Sequence, residues 1–101
     1  MSSTDSNNLQ FLSKLQDLLE TRKKDRPEGS YTTHLFNKGT DKIVQKVGEE
    51  AIETVIAAKN NNDELRYEAS DLLFHLMVLL TEKGMRIDDL VEELASRHKT
   101  E

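Results

Sequence analysis

The chain has 101 residues, of which 36% are hydrophobic and 33% are charged, and its formal net charge is −5. A chain of this length forms one small domain, and its acidic balance argues against binding to a nucleic-acid backbone, which requires a basic face. There is no cysteine, so disulfides and thiolate metal sites are excluded. No apolar run approaches the roughly 18–20 residues of a membrane span, and the amino terminus lacks a signal-peptide pattern. We therefore expect a soluble, cytoplasmic protein without membrane contact.

The first part of the chain predicts two helices. Residues 1–8 are small and polar, and we predict that they form a disordered N-terminus before a domain that spans 9–98. Leucines at helical spacing from Leu9 onward predict a first helix that ends before Pro27, because the residue preceding a proline is pushed out of the helical region. Ser30 is then the predicted cap of a short second helix that stops at Gly39.

Three further helices follow in the predicted order. Capping residues precede each of the two long apolar-periodic stretches, and an Asn-rich break separates them. We find no strand alternation and no internal repeat, so the predicted fold is all-α with about five helices. The predicted third, fourth and fifth helices span about 40–59, 63–84 and 87–98, with caps at Thr40 or Asp41 and at Asp63.

Each long helix has an apolar face and an acidic side. At about 100° per residue, the apolar residues of the third helix share one broad face, which we expect to lie in the core. That face includes Gly48, which costs a helix about 1 kcal/mol relative to alanine and which we interpret as the site of a close helix crossing. The predicted core faces are Val44, Val47, Gly48, Ala51, Ile52 and Val55 in the third helix and Leu65, Ala69, Leu72, Leu73, Leu76 and Leu80 in the fourth.

Two acidic units on these helices carry the functional signal. Glu50-Ala51-Ile52-Glu53 and Glu68-Ala69-Ser70-Asp71 each place two carboxylates three residues apart on one helix face, and Glu49 precedes the first unit. If the helices lie side by side, these carboxylates repel one another unless a hard divalent cation binds between them, and Mg²⁺ is the usual cation bound by oxygen ligands. Because Mg²⁺ keeps several waters, this many acids suggest more than one ion per site. The pattern indicates chemistry on phosphates.

A solvated acidic face is the alternative interpretation. Acidic residues opposite an apolar stripe are usually exposed, and Glu50 and Glu53 could simply pair with Lys46 and other lysines. However, a lysine four residues before a glutamate is the weaker pairing orientation, and these acids lie mid-helix, where the helix dipole does not stabilise them. The residues alone leave both interpretations open.

Three longer stretches resemble a known family. They are Pro27-Glu28-Gly29-Ser30-Tyr31-Thr32-Thr33-His34-Leu35-Phe36 followed by Gly39, Lys46-Val47-Gly48-Glu49-Glu50-Ala51-Ile52-Glu53, and Glu68-Ala69-Ser70-Asp71-Leu72-Leu73-Phe74-His75. Together they closely resemble the phosphoribosyl-ATP pyrophosphatases, all-α nucleotide pyrophosphohydrolases related to MazG. The resemblance covers about residues 9–98; the acidic units indicate only the superfamily, and the stretch from Pro27 singles out this family. Phe74 departs from the pattern, in which a tyrosine is expected before the histidine.

The resemblance implies an activity and a set of site residues. The reaction is Mg²⁺-dependent hydrolysis of phosphoribosyl-ATP to phosphoribosyl-AMP and pyrophosphate, the second step of histidine biosynthesis. We expect His75 to hydrogen-bond an acidic metal ligand rather than to bind the metal, and Glu49 to be either a further ligand or the base that orients water. The predicted metal ligands are Glu50, Glu53, Glu68 and Asp71; the predicted catalytic residues are Glu49, Glu50 and Glu53; and the predicted substrate-binding residues are Tyr31, Thr32, Lys38, Lys42 and Lys46.

We also expect a homodimer. One small subunit cannot easily bury the apolar faces of three helices, and relatives of the family are dimers, so the two long helices of each chain would form a four-helix core across a two-fold axis. Some relatives fuse this domain to the phosphoribosyl-AMP cyclohydrolase of the next step; without zinc-type cysteines here, we expect that activity on a separate chain. Two other functions remain open: a house-cleaning nucleoside triphosphate pyrophosphatase and a non-catalytic helical dimerisation module.

Overall fold

Five α-helices make up the computed structural model, which describes the backbone of residues 2–99 and the side chains of residues 8–99. No strand occurs in this range, so the predicted all-α fold with about five helices is confirmed. No helix in the same range is long and apolar enough to span a membrane. The helices are α1 (Ser2–Asp25), α2 (Tyr31–Lys38), α3 (Thr40–Ala58), α4 (Asn62–Glu82) and α5 (Ile87–His98).

Helix α1 begins earlier than its apolar periodicity predicts. Its backbone is helical from Ser2, so the start predicted at Leu9 is wrong. The polar residues before Leu9 extend the helix without an apolar face to mark them, and Leu9 itself is 72% exposed. Met1 and the side chains of 2–7 lie outside the described residues, and the disorder predicted for 1–8 stays a prediction.

Helix α2 is bounded as predicted. The Ser30 side chain accepts the N–H of Thr33 at 3.3 Å, as an N-cap does. Gly39 follows the helix with a φ of 92°, a conformation that favours glycine, and donates its N–H to the carbonyl of Leu35.

The caps of α3 and α4 differ from those predicted. Gly39, rather than Thr40 or Asp41, is the N-cap of α3 and offers no capping side chain. Asn61, rather than Asp63, caps α4, where its side chain accepts an N–H of the first turn at 2.8 Å. Asparagine is as good a cap as aspartate, and Asp63 falls in the first turn, where its charge is favourable.

The core lies between α4 and the three helices before it. Its fully buried apolar residues come from α1, α2, α3 and α4, and burial of each such side chain contributes roughly 1.5–3 kcal/mol. The most extensive contact between two helices is that of α3 with α4, which run along each other. The buried cluster consists of Leu19, Leu35, Phe36, Ile43, Met77 and Val78.

Polar contacts attach the start of α5 to α1. Gln16 is fully buried, and its side-chain amide donates to the Thr81 hydroxyl at 3.2 Å and to the Met85 carbonyl at 2.8 Å. Arg86 forms ion pairs with Asp17 at 2.9 Å and Glu20 at 3.0 Å. These bonds connect the two ends of the helical domain at positions about 70 residues apart in sequence.

Helix α3 buries a different face from the one predicted. The buried residues Ile43 and Glu50 are seven positions apart, so they lie on one stripe two turns apart. Three of the predicted core residues are instead exposed, at 44% for Val44, 63% for Ile52 and 67% for Val55. Gly48 is exposed as well, whereas Val47 and Ala51 are half-buried. Periodicity separates the two sides of a helix but does not say which side meets which neighbour, and α4 packs on the side that carries Glu50.

Gly48 meets no other helix among the described residues. It is exposed, and a Cβ atom placed on it would contact nothing within 4 Å. The close crossing predicted at Gly48 is therefore wrong for the packing within the described chain.

Candidate metal and substrate site

The carboxylates of α3 and α4 meet around Glu50, whose residue surface is only 4% exposed. Ligand atoms of Glu50, Glu53 and Glu68 lie within 4.8 Å of one another, and so do ligand atoms of Glu50, Asp71 and His75. The structure thus brings the four residues predicted to bind metal into two overlapping groups that share Glu50. The side-by-side packing of α3 and α4 produces this arrangement, as the two acidic units predict.

The donor set fits a hard divalent cation. The Oε1 atom of Glu50 is buried and has no hydrogen-bond partner among the described residues. A buried carboxylate oxygen without a partner is costly, and such atoms in native proteins call for an explanation. Mg²⁺ holds its ligands at about 2.0–2.1 Å, so opposite ligand atoms lie about 4 Å apart. The ligand atoms around Glu50 lie within 4.8 Å of one another, which accommodates that spacing. The carboxylate oxygens among them are the ligand type that Mg²⁺ prefers.

The carboxylates also raise one another's pKa. Burial raises the pKa of Glu50 above its ordinary value of 4.5, and Asp71 and then Glu53 raise it further, while Lys46 opposes the shift. Partial burial likewise raises the pKa of Glu68, with the charge of Glu53 as the next cause. Both shifts arise because negative charges are held close together away from water, and a bound cation would relieve both.

Lys46 and Glu49 form a charged pair beside these groups. The Lys46 Nζ atom lies 3.4 Å from Glu49 Oε1 and 3.5 Å from Glu50 Oε2. Partial burial opposes the charge on Lys46, but Tyr31, Glu49 and Glu50 outweigh it and raise the pKa of Lys46. Glu49 also accepts a hydrogen bond from the Gln45 amide at 2.8 Å, and this bond, followed by the one from Lys46, lowers the pKa of Glu49.

Glu49 itself does not join either carboxylate group among the described residues. Its contacts with Gln45 and Lys46 turn its carboxylate along its own helix. A lowered pKa makes a carboxylate a weaker proton acceptor. Glu49 was predicted to be either a metal ligand or the base that orients water. Neither its position nor its lowered pKa favours one of these two roles.

Both ring nitrogens of His75 are hydrogen-bonded. Nδ1 lies 2.8 Å from the backbone carbonyl oxygen of Asp71, and Nε2 lies 2.8 Å from the hydroxyl oxygen of Tyr31. Because a carbonyl only accepts, Nδ1 carries a proton, and in the neutral ring Nε2 accepts the Tyr31 hydroxyl. Burial raises the pKa of Tyr31, which keeps that hydroxyl protonated. The hydrogen bond predicted between His75 and an acidic ligand therefore goes to the backbone of Asp71, with its carboxylate 3.6 Å away.

The remaining predicted substrate residues are not equally close to the carboxylates. Lys42 lies one turn before Lys46, and its charge helps to lower the pKa of Glu49. Thr32 is buried in α2, and Lys38 is exposed in its last turn. Within the described part of the chain, neither Thr32 nor Lys38 is hydrogen-bonded or ion-paired to a carboxylate of the two groups.

Sequence reasoning missed the contact between Tyr31 and His75 and the role of Gln45. Tyr31 and His75 are 44 positions apart, so no local pattern reveals their bond. Gln45 and Glu49 are four positions apart on one helix, a spacing that does predict a side-chain pair. That spacing could have been used.

Comparison with known proteins identifies the family. Residues 12–98 match the family described as phosphoribosyl-ATP pyrophosphohydrolase. The chain belongs to this family. The phosphoribosyl-ATP pyrophosphatase of Leuconostoc mesenteroides is 56% identical over 88 residues, which cover 87% of this chain and 77% of that protein. The phosphoribosyl-ATP pyrophosphatase of Leptospira biflexa is 53% identical over 91 residues, which cover 89% of this chain and 99% of that protein.

A longer type of relative carries the same domain. The histidine biosynthesis bifunctional protein HisIE of Bacteroides thetaiotaomicron is 56% identical over 91 residues, covering 89% of this chain but 45% of that protein. The chain therefore spans about half the length of such bifunctional relatives. These comparisons confirm the family and the enzyme class that the sequence predicts.

Proposed function

We propose that this chain hydrolyses the α–β phosphoanhydride bond of phosphoribosyl-ATP and releases phosphoribosyl-AMP and pyrophosphate, in the cytoplasm. Membership of the family across residues 12–98 supports the substrate and the reaction. One observation carries the mechanism: the Oε1 atom of Glu50 is buried among the converging carboxylates and has no hydrogen-bond partner in the described part of the chain. An acidic cleft of this kind would repel a triphosphate unless a cation were bound.

Mg²⁺ is the proposed cofactor. When bound, it would neutralise the phosphate oxygens, favour a deprotonated water and stabilise the departing pyrophosphate. The two overlapping ligand groups that share Glu50 support more than one ion. The residues that would hold the metal are Glu50, Glu53, Glu68 and Asp71.

The chain's own residues orient these ligands and bind the substrate. Lys46 presents a compact positive charge to phosphate, and its contacts with Glu49 and Glu50 fix its position. Tyr31 holds the His75 ring, which in turn hydrogen-bonds the backbone of Asp71, so the pair restrains the helix turn that carries this ligand. Glu49 stays ionised and holds Lys46.

A second copy of the chain is the proposed partner across α3. The face that carries Ile52 and Val55 is apolar and exposed, with Gly48 leaving room for a close approach. The radius of gyration is 15.1 Å, whereas a compact domain of this length has about 13 Å. An elongated subunit with an uncovered apolar helix face suits a two-fold interface in which α3 and α4 of both chains pack together.

A phosphoribosyl-AMP cyclohydrolase is the proposed consumer of the product. The bifunctional relatives are about twice as long as the segment matched here. The 101 residues contain no cysteine with which to build a zinc site. The cyclohydrolase activity would therefore be supplied by residues other than these 101.

Pyrophosphate release from a substrate panel tests the proposal. We expect rapid, Mg²⁺-dependent release from phosphoribosyl-ATP and much slower release from ATP, GTP and deoxynucleoside triphosphates. Comparable or faster turnover of the ordinary or noncanonical nucleotides would instead support a house-cleaning pyrophosphatase. Absence of turnover on every substrate would favour a non-catalytic module.

A further inference from the structure

Tyr31 is shared between the carboxylate site and a second pocket. This pocket has a volume of about 540 Å³ and is formed by the turn between α1 and α2 and the first turns of α2. Tyr31 lines it, while the Tyr31 hydroxyl reaches His75 beside the metal ligands. None of the four proposed metal ligands lines the pocket, so any ligand there would be recognised without the metal.

The floor of this pocket presents hydrogen-bond donors. Thr33 lines it, is only 5% exposed, and has a buried Oγ1 atom without a partner among the described residues. The Ser30 oxygen already accepts from the N–H of Thr33 and from Arg22 Nη1, which leaves its own proton to donate. The N–H groups of Tyr31 and Thr32 begin α2 and have no intrahelical acceptor. Donors at a helix start favour an anion.

Arg26 brings a positive charge to the same pocket. Its φ is 50°, a left-handed conformation in which a glycine is usual after a helix. Two of its five N–H donors are used within the described chain, by the Lys23 carbonyl at 2.9 Å and the Asn37 side chain at 3.2 Å. The others remain to bind a ligand. Glu28 is the acidic residue among those that line the pocket.

We propose that this pocket binds the 5′-phosphate of the substrate's phosphoribosyl group. This inference rests on the proposed function. Phosphoribosyl-ATP carries a triphosphate at one end and a separate phosphate monoester at the other, and the carboxylate site suits only the metal-bound end. The monoester needs cationic and hydroxyl donors, which Arg26, Ser30 and Thr33 supply. A substrate that reached past Tyr31 would occupy both sites at once.

The consequence is discrimination against ordinary nucleotides. ATP lacks the 5′-phosphate monoester of the phosphoribosyl group, so it would leave the buried Thr33 hydroxyl and the Arg26 guanidinium without their ligand. A site built to hydrogen-bond a group rejects an analogue that lacks it, because its polar atoms then stay unpaired. Arg26 and Thr33 are thus specificity-determining residues for this reaction.

Binding without metal gives the first test. Ribose 5-phosphate is added to the protein in the presence of a chelator, and the backbone amide signals of 30–33 are followed by NMR. We expect saturable shifts that ribose alone does not cause, that the Arg26→Gly variant loses and that the Glu53→Gln variant keeps. Any one of three results would overturn the proposal: no saturable shift in the wild type, equal shifts with ribose, or unaltered binding by Arg26→Gly.

Steady-state kinetics give the second test. In the Arg26→Gly variant we expect the KM for phosphoribosyl-ATP to rise about 10- to 100-fold with kcat little changed, as loss of a charged hydrogen bond predicts. Because glycine suits the left-handed backbone, Tm should be unchanged or higher. Glu28→Gln, in the same pocket, should lower KM. An unchanged KM in Arg26→Gly, or a raised KM in Glu28→Gln, would contradict the assignment.

Failure of this inference is distinguishable from failure of the proposed function. If the wild type binds ribose 5-phosphate at 30–33 but does not hydrolyse phosphoribosyl-ATP, the function is wrong and the phosphate pocket stands. If it hydrolyses phosphoribosyl-ATP while ribose 5-phosphate causes no shift, the pocket is wrong and the function stands.

Discussion

Glu50 shows how one side chain links stability to function. A glutamate is rarely this buried unless it is paired, yet here its Oε1 atom has no partner in the described part of the chain and its pKa is raised. The folded chain therefore holds a destabilising charge at the position where the proposed metal would bind. Pre-organised ligands of this kind lose little freedom on binding, which strengthens metal affinity.

The bond from Tyr31 to His75 leads to a prediction at the same scale. Replacing Tyr31 with phenylalanine removes the hydroxyl donor and frees the His75 ring, so the turn that carries Asp71 is held less firmly. Loss of such an outer contact costs about 10- to 100-fold in metal affinity or activity. We expect Tyr31→Phe to raise the Mg²⁺ concentration needed for half-maximal pyrophosphate release by that amount.

Tyr67→Phe is the matched control, because Tyr67 is 72% exposed and both ring nitrogens of His75 bond other described residues, Tyr31 and Asp71. It should leave the Mg²⁺ requirement unaltered. The same Mg²⁺ requirement in Tyr31→Phe and the wild type would show that the bond between Tyr31 and His75 does not support the metal ligands.

At the scale of elements, the pair of α3 and α4 brings like charges together. Glu50 and Glu53 on α3 face Glu68 and Asp71 on α4. Lys46, which contacts Glu50, is the only lysine or arginine ion-paired to this cluster in the described chain. In the absence of metal, the carboxylates that this packing brings together therefore repel one another and destabilise the contact between α3 and α4. Deprotonation increases this repulsion and Mg²⁺ reduces it.

A pH dependence follows with a definite sign. The folded pKa of Glu50 and of Glu68 lies above the ordinary value of 4.5. Between that value and the raised pKa, the folded chain binds more protons than the unfolded chain, so the free energy of unfolding falls as pH rises through this window. Glu49 has a lowered pKa and acts in the opposite sense, but its window lies below 4.5.

Thermal unfolding with a chelator and with Mg²⁺ measures this effect. We expect the metal-free protein to lose stability as pH rises from about 4.5 toward neutrality, and Mg²⁺ to raise Tm more at about pH 7.5 than at about pH 5, where protons compete for the ligands. In Glu50→Gln both effects should shrink. A Tm shift from Mg²⁺ that is equal at both pH values would contradict the arrangement.

For the whole molecule, the exposed apolar face of α3 predicts the response of the proposed dimer to mutation. Val55 is 67% exposed and Val91, on α5, is 61% exposed, so neither substitution disturbs the core of the chain. We expect Val55→Lys to place a charge in the interface and to weaken the dimer by about 100-fold or more, as burial of an unpaired charge predicts.

Sedimentation velocity at micromolar concentration distinguishes the two outcomes. The wild type and the matched control Val91→Lys should sediment as dimers, and Val55→Lys should sediment largely as a monomer. A wild-type monomer at that concentration, or a Val55→Lys dimer as stable as the wild type, would refute an interface on α3.

The sequence predicted the helices well because their signals are local. Pro27, Ser30 and Gly39 mark boundaries through backbone sterics and capping, and the spacing of Glu50 and Glu53 places both on one side of α3. The same spacing could not show that this side is the one that α4 covers. That depends on the packing of the whole chain, and the proposed partner subunit would explain the apolar side that is left open.

Contacts between residues that are distant in sequence could not be predicted either, because they too depend on the packing of the whole chain. Tyr31 meets His75 across 44 positions. Arg26, whose backbone is left-handed just before Pro27, lines the same pocket as Thr33. The family resemblance supplied the function, whereas the geometry supplies the reason why Glu50 is central and why Glu49 is held apart from the ligands.

The turnover of Glu53→Gln shows directly whether the carboxylates of α3 and α4 hold the metal. Glu53 is exposed and belongs to the carboxylate group around Glu50, so its replacement removes a metal ligand without opening the core. We predict at least about a 100-fold lower kcat for pyrophosphate release from phosphoribosyl-ATP with Mg²⁺, an unchanged or higher Tm in chelator, and normal turnover for the matched surface variant Glu92→Gln. Full turnover by Glu53→Gln would contradict the claim that these carboxylates hold the metal that drives the hydrolysis.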